Sequence, residues 1–118
     1  MPYRSFIFLK NNSELNLNSL SKSLRCWNTT EINDGLIINV RGYVFRIMVN
    51  NRPHVTNETL ELIKNTDLPG NIKTDLRIEV SGEDDYDMEF FNDYLLILEK
   101  ISKNNGLVIF NSTSNEVM

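Results

Sequence analysis

The residue types best suited to nucleophilic or general-base chemistry are represented by one histidine and one cysteine. His54 follows Pro53 just ahead of a predicted helix, and Cys26 lies between Arg25 and Trp27 at the predicted end of another. A catalytic thiolate needs a base or a positive helix end beside it, whereas the C-terminal end of a helix disfavours a thiolate. We therefore expect a solvent-exposed His54, a packed Cys26 and no catalytic pair between them, so the chain is not predicted to be an enzyme.

Carboxylates form the other group with chemical potential. Half of the twelve acidic residues in the second half of the chain fall in one stretch without Lys or Arg: Glu83, Asp84, Asp85, Asp87, Glu89 and Asp93. Their spacing lacks the Asp-x-Asp/Asn-x-Asp/Asn-Gly pattern of a calcium loop, so no metal site is predicted. Two interpretations stay open. The acids stabilise the positive end of the following helix, or they form a recognition surface with Tyr86 and Met88 as apolar contacts.

The charge distribution favours a basic protein partner over nucleic acid. Residues 1–59 carry seven basic and four acidic side chains, and residues 60–118 carry five basic and twelve acidic ones. Affinity for a phosphate backbone depends on Lys and Arg, so Tyr43, Phe45 and Arg46 are weak candidates for an RNA-binding sheet face. The five glycines are isolated, so no phosphate loop and no cofactor is predicted.

Length and composition predict a single domain over residues 1–118. The chain is 41% hydrophobic, which suffices for a core without disulfide or metal. One cysteine cannot form an internal disulfide, and no apolar run resembles a signal peptide or a membrane span. We expect a protein of the reducing cytoplasm, not bound to a membrane.

Hydrophobic spacing predicts the elements that must position these residues. Alternating or β-branched runs predict strands at Tyr3–Lys10, Leu36–Val40, Tyr43–Val49, Leu76–Val80 and Leu107–Phe110. Helical spacing predicts a first helix through Leu17, Leu20, Leu24 and Trp27, and a second capped by Thr56 or Asn57 with Leu60 and Ile63 inward. A third runs from Phe90 through Ile101 up to Asn104 and Asn105, and Gly106 ends it. Residues Asn111 to Met118 are predicted to form a polar C-terminal tail.

The resulting order is strand, helix, strand, strand, helix, strand, helix, strand. Such an order predicts an α+β sandwich in which helices cover one face of a single sheet. It resembles the ferredoxin-like arrangement with one extra helix before the last strand.

A small acidic domain without catalytic residues, with an amphipathic helix followed by Gly106-Leu107-Val108-Ile109-Phe110-Asn111, resembles the immunity proteins of bacterial polymorphic toxin systems, including contact-dependent growth inhibition. The resemblance covers general character and the stretch from Asp75 to Asn111. It implies a protein that binds one cognate toxin, often a basic nuclease, and blocks its active site. The toxin-binding residues then expected on charge are Glu83, Asp84, Asp85, Tyr86, Asp87, Met88, Glu89 and Asp93.

Two other functions are compatible with the sequence. A small molecule could bind in a pocket between the sheet and the aromatic residues Trp27, Tyr43, Tyr86 and Tyr94. Alternatively, the domain is a regulatory homodimer joined through an edge of its sheet.

Overall fold

The computed structural model describes residues 3–13, 17–103, 106–112 and 116–117. Within these residues the elements are β1 (Tyr3–Leu9), α1 (Leu17–Ser23), β2 (Asn28–Ile32), β3 (Gly35–Val40), β4 (Tyr43–Asn50), α2 (His54–Asn65), β5 (Arg77–Gly82), α3 (Phe91–Ser102), β6 (Leu107–Asn111) and β7 (Glu116–Val117). No helix in this described part is long and apolar enough to cross a membrane.

The seven strands of the described residues form one antiparallel sheet with the order β2-β3-β4-β5-β1-β6-β7. The first strand lies inside the sheet, because β1 pairs with β5 on one side and with β6 on the other. Ile7 stands opposite Ile78 in one neighbour and Ile109 in the other. The α+β class is thus confirmed, and the chain folds around one sheet.

The sheet is covered on both faces. One face forms the larger core, where Ile7 and Leu9 pack with Leu20 of α1 and Ile97 of α3. The other face carries a smaller core of Phe6, Phe8, Leu68, Ile72 and Phe110, against which Leu62 and Ile63 of α2 pack. The prediction that helices cover a single face is therefore wrong. Because β1 is apolar at successive positions, each of its faces needs a cover.

The order of elements also differs from the ferredoxin-like prediction. Strand β2 falls in a segment for which no element was predicted, and α1 ends at Ser23, so Trp27 lies in the turn before β2 and not on the helix. Asn111 closes β6, and Glu116–Val117 form a further strand within the predicted tail. Helix α2 begins at His54, ahead of the predicted caps Thr56 and Asn57. The predicted end of the third helix at Asn104 and Asn105, and positions 113–115 and 118 of the predicted tail, lie outside the described residues.

Among the described residues, Arg77 is the only basic residue whose side chain is buried. Its Nε donates to Glu79 at 3.0 Å, and one Nη donates to Glu58 at 3.2 Å. The second Nη has no hydrogen-bond acceptor among the described residues, but the guanidinium carbon lies 3.9 Å from the centre of the Phe6 ring. The Arg77 guanidinium therefore makes a cation–π contact with the face of the Phe6 ring, which its planar shape favours.

Candidate functional site

Residues 83–90, called the acidic loop below, connect the end of β5 to the start of α3. Gly82 at the end of β5 allows the loop to leave the sheet beside β4, because a Cβ at this position would lie 2.5 Å from the Tyr43 hydroxyl oxygen. That hydroxyl donates to the carbonyl of Glu83. The first residue of the loop is thereby tied to the start of β4.

Asp85 holds the loop in place from the inside. Its side chain is only 7% exposed, and its carboxylate accepts hydrogen bonds from the Tyr3 hydroxyl (2.5 Å) and from the backbone N–H groups of Glu89 (3.1 Å) and Phe90 (2.8 Å). A carboxylate with several donors is stabilised in its ionised form. Burial by itself raises the pKa of Asp85, but these hydrogen bonds outweigh it and bring the pKa below the ordinary value of a carboxyl group.

Two tyrosines next to the loop stay neutral for related reasons. Burial raises the pKa of Tyr3, and its hydrogen bond to the charged Asp85 raises it further. Burial together with the negative charges of Asp85, Glu83 and Asp84 raises the pKa of Tyr43 to about 12. Both hydroxyls thus remain donors over the physiological pH range, so the two contacts that fix the loop do not titrate there.

The end of the loop rests on an aromatic stack. The rings of Phe90 and Tyr43 are stacked with centroids 4.6 Å apart, and Arg41 lies 5.1 Å from the Phe90 centroid. Arg41 also pairs with Asp93 in the first turn of α3 at 3.1 Å. These contacts join the β3–β4 turn to the start of α3 and fix the direction in which the loop emerges.

The remaining side chains of the loop face solvent. Glu83, Asp84, Asp87 and Glu89 are exposed. Tyr86 is 87% exposed and Met88 is 56% exposed, although both are large and apolar. The backbone of Met88 has a positive φ of 53°, which turns the chain back toward α3. An aromatic ring and a thioether thus stand among carboxylates on a loop whose base is anchored by Asp85.

The eight residues predicted from charge therefore divide into two groups. Six form the exposed surface: Glu83, Asp84, Tyr86, Asp87, Met88 and Glu89. Asp85 and Asp93 are less exposed and act at the start of α3, where Asp85 accepts two backbone N–H groups and Asp93 pairs with Arg41, as the helix-end interpretation predicts for part of the stretch. The supporting residues Tyr3, Arg41, Tyr43 and Gly82 were not predicted.

The other chemically capable residues lie away from this loop. Cys26 is a free, exposed cysteine, so its predicted packing role is wrong. His54 is exposed, as expected, and its Nε2 lies 3.8 Å from Glu58 on the next turn of α2. Within the described residues, no three or more Asp, Glu, His or Cys side chains are placed so that they could hold a metal ion.

Three of the four rings suggested from sequence for a ligand pocket have other surroundings. Tyr94 is buried and stacks on Tyr3, Tyr43 stacks on Phe90, and Tyr86 projects into solvent. A cavity of about 650 Å³ lies elsewhere, between α3 and β6, and none of these rings lines it. Phe45 is fully buried, so it does not belong to an exposed RNA-binding face.

The chain matches no protein-family model, no curated protein and no solved structure. Its function is therefore argued from its own geometry and charge.

Proposed function

We propose that this chain is an immunity-type protein of the cytoplasm, which binds a cognate bacterial toxin through the acidic loop and blocks the toxin's active site. The observation that carries the proposal is the exposure of Tyr86 and Met88 inside a group of four exposed carboxylates. Protein interfaces combine a desolvated aromatic or methionine contact with a polar rim. Once the loop is bound, the rest of the domain blocks access to the toxin's active site, and the chain itself catalyses no reaction.

The charge of the loop favours a basic partner such as a nuclease. An enzyme that binds a phosphate backbone carries Lys and Arg around its active site, and an acidic surface complements them. Opposite charge accelerates association and orients the partners, whereas the apolar contact slows dissociation. Because Asp85 fixes the loop before binding, less conformational entropy is lost when the complex forms.

The test uses the product of the neighbouring upstream open reading frame as the candidate toxin. The two proteins are co-expressed with a tag on one of them, and both co-purification and survival of the host cells are measured. The proposal requires co-purification and survival only when both proteins are present. If the neighbour is harmless and nothing co-purifies, the proposed function is wrong.

A matched pair of charge-reversal variants tests whether the acidic loop is the surface that contacts the toxin. Asp87→Lys with Glu89→Lys reverses two exposed charges on the loop, and Asp67→Lys with Asp75→Lys makes the same change of net charge elsewhere on the exposed surface. We expect the loop variant to lower the association rate by about tenfold or more, and Tyr86→Ala to raise the dissociation rate. Equal effects of both charge variants would show that only net charge matters and that the loop is not the contact.

A further inference from the structure

The sheet ends at β2 in a strand edge that nothing in the described part of the chain covers. Strand β2 pairs with β3 on one side, and it is the terminal strand of the sheet order. Its sequence is Asn-Thr-Thr-Glu-Ile, with a single charge at Glu31 and neither Lys nor Pro. Proteins that keep an edge unpaired usually protect it with such residues or with a very short strand. At the opposite edge, the described part of β7 comprises two residues.

We propose that two copies of this chain associate through β2, so that their sheets join into one continuous antiparallel sheet. A two-fold axis perpendicular to the sheet keeps each side chain on its own face. Paired residues in an antiparallel sheet also share a face, so the axis must run midway between the two copies of one residue, which then stand opposite each other. Thr30 is the central residue of β2, and an axis there pairs all five residues of both strands.

This register brings compatible side chains together. Thr30 faces Thr30 of the second copy, Asn28 faces Ile32, and Glu31 faces Thr29. Cross-strand threonine pairs are favourable, and no two like charges stand opposite each other. An axis one residue further along would instead place the two copies of Glu31 face to face.

The ends of the strand supply charge complementarity for a second copy. Arg25 lies in the exposed turn before β2, and Asp34 lies in the exposed turn after it. In the antiparallel pair, the Arg25 end of one copy adjoins the Asp34 end of the other, and the symmetry repeats this contact. An unrelated strand would not carry this matched arrangement, so we assign the edge to self-association.

This association is independent of the proposed function. The acidic loop follows β5, which β3 and β4 separate from β2. Two joined sheets would therefore leave both acidic loops uncovered, and loss of either property leaves the other intact.

Cross-linking tests the register directly. In a Cys26→Ser background, Thr30→Cys places two thiols opposite each other, where paired Cα atoms are about 4.5 to 5.5 Å apart and within disulfide range. The matched control Asn28→Cys lies on the same face, but its two copies are separated by four residues, about 14 Å. We expect a disulfide-linked dimer from Thr30→Cys under mild oxidation and none from Asn28→Cys. Equal cross-linking of both variants, or none from Thr30→Cys, would overturn the register.

Sedimentation velocity over a range of protein concentrations tests the association itself. We expect a dimer, and we expect Thr30→Lys to raise its dissociation constant by about tenfold or more, because two lysines would then face each other. Asn57→Lys adds the same charge on α2, which packs over β1, and β1 is separated from β2 by β3, β4 and β5, so the constant should be unchanged. The proposal is refuted if the protein is a monomer at every concentration, or if Thr30→Lys leaves the dissociation constant of the dimer unchanged.

Discussion

Asp85 and Asp87 are identical in charge and only two positions apart, yet their side chains have different environments and different roles. Asp85 turns inward and accepts three hydrogen bonds, whereas Asp87 remains exposed. The partner that distinguishes them is Tyr3, which is 82 positions away in the chain. Charge pattern predicted the acidic stretch, but no local signal could separate its buried carboxylate from its exposed ones, because the difference arises from a contact with a strand at the other end of the sequence.

Replacing Asp85 with Asn should make the fold less stable in a pH-dependent way. The folded pKa of Asp85 lies below its ordinary value, so the ionised group stabilises the fold above that value, and this contribution is lost as the pH falls through the folded pKa. We expect Asp85→Asn to have a clearly lower Tm than the wild type at about pH 7, with a difference that shrinks as the pH falls below the ordinary pKa of a carboxyl group. Calorimetry at a series of pH values measures both.

The matched control is Asp87→Asn, whose side chain is exposed, and it should leave the Tm nearly unchanged at every pH. Burial raises the pKa of Glu79, but its hydrogen bonds from Asn50 and Arg77 lower the pKa overall. Glu79 is present in all three proteins, so its titration cancels in the comparison. A Tm difference for Asp85→Asn that does not change with pH would contradict the role given to its charge.

At the scale of elements, apolar periodicity was informative wherever a face is buried. The β1, β3, β4 and α3 segments were predicted close to their observed bounds, because their core positions recur at strand or helix spacing. Strand β2 was missed because four of its five side chains are polar and most of them are exposed. Its backbone pairing with β3 defines it, and side-chain pattern does not report that pairing.

For helix α2, the spacing of apolar residues predicts a helix but does not predict which side of the helix is buried. Leu60 was predicted to face inward, yet it is 52% exposed, and the buried positions are Val55 and Thr59. These two residues lie at helical spacing from Leu62 and Ile63, which pack against the smaller core. A helix that starts at His54 and packs on the second face of the sheet could not be placed from spacing alone.

Truncating one side chain on each side of α2 tests this orientation. Ile63→Ala should reduce the free energy of unfolding by about 1 to 3 kcal/mol, because it removes a half-buried side chain from the smaller core. Leu60→Ala should change it by about 0.5 kcal/mol or less, since Leu60 is largely exposed and alanine is a good helix former. Urea denaturation of both variants gives the comparison. A larger loss for Leu60→Ala would mean that α2 packs with its other side.

At the scale of the whole molecule, the two halves of the chain meet at the acidic loop. The loop belongs to the acidic second half, but the residues that support it, Tyr3, Arg41 and Tyr43, come from the first half. The sheet order places β1 and β4 on the two sides of β5, so their ends flank the point where the loop begins. The candidate surface therefore depends on the complete sheet, and an isolated peptide of residues 83–93 should not reproduce it.

The two cores are expected to unfold together, because β1 supplies residues to both. Phe6 and Phe8 point into the smaller core, and Ile7 and Leu9 point into the larger one. The single tryptophan, Trp27, packs against the larger core and reports on that face alone. We expect Phe8→Ala to lower the stability measured by Trp27 fluorescence by about 3 to 5 kcal/mol, although Phe8 lies on the opposite face. Far-UV circular dichroism should give the same urea midpoint for this variant. If fluorescence instead keeps the wild-type midpoint while circular dichroism splits into two steps, the faces are separate folding units and the sheet does not couple them.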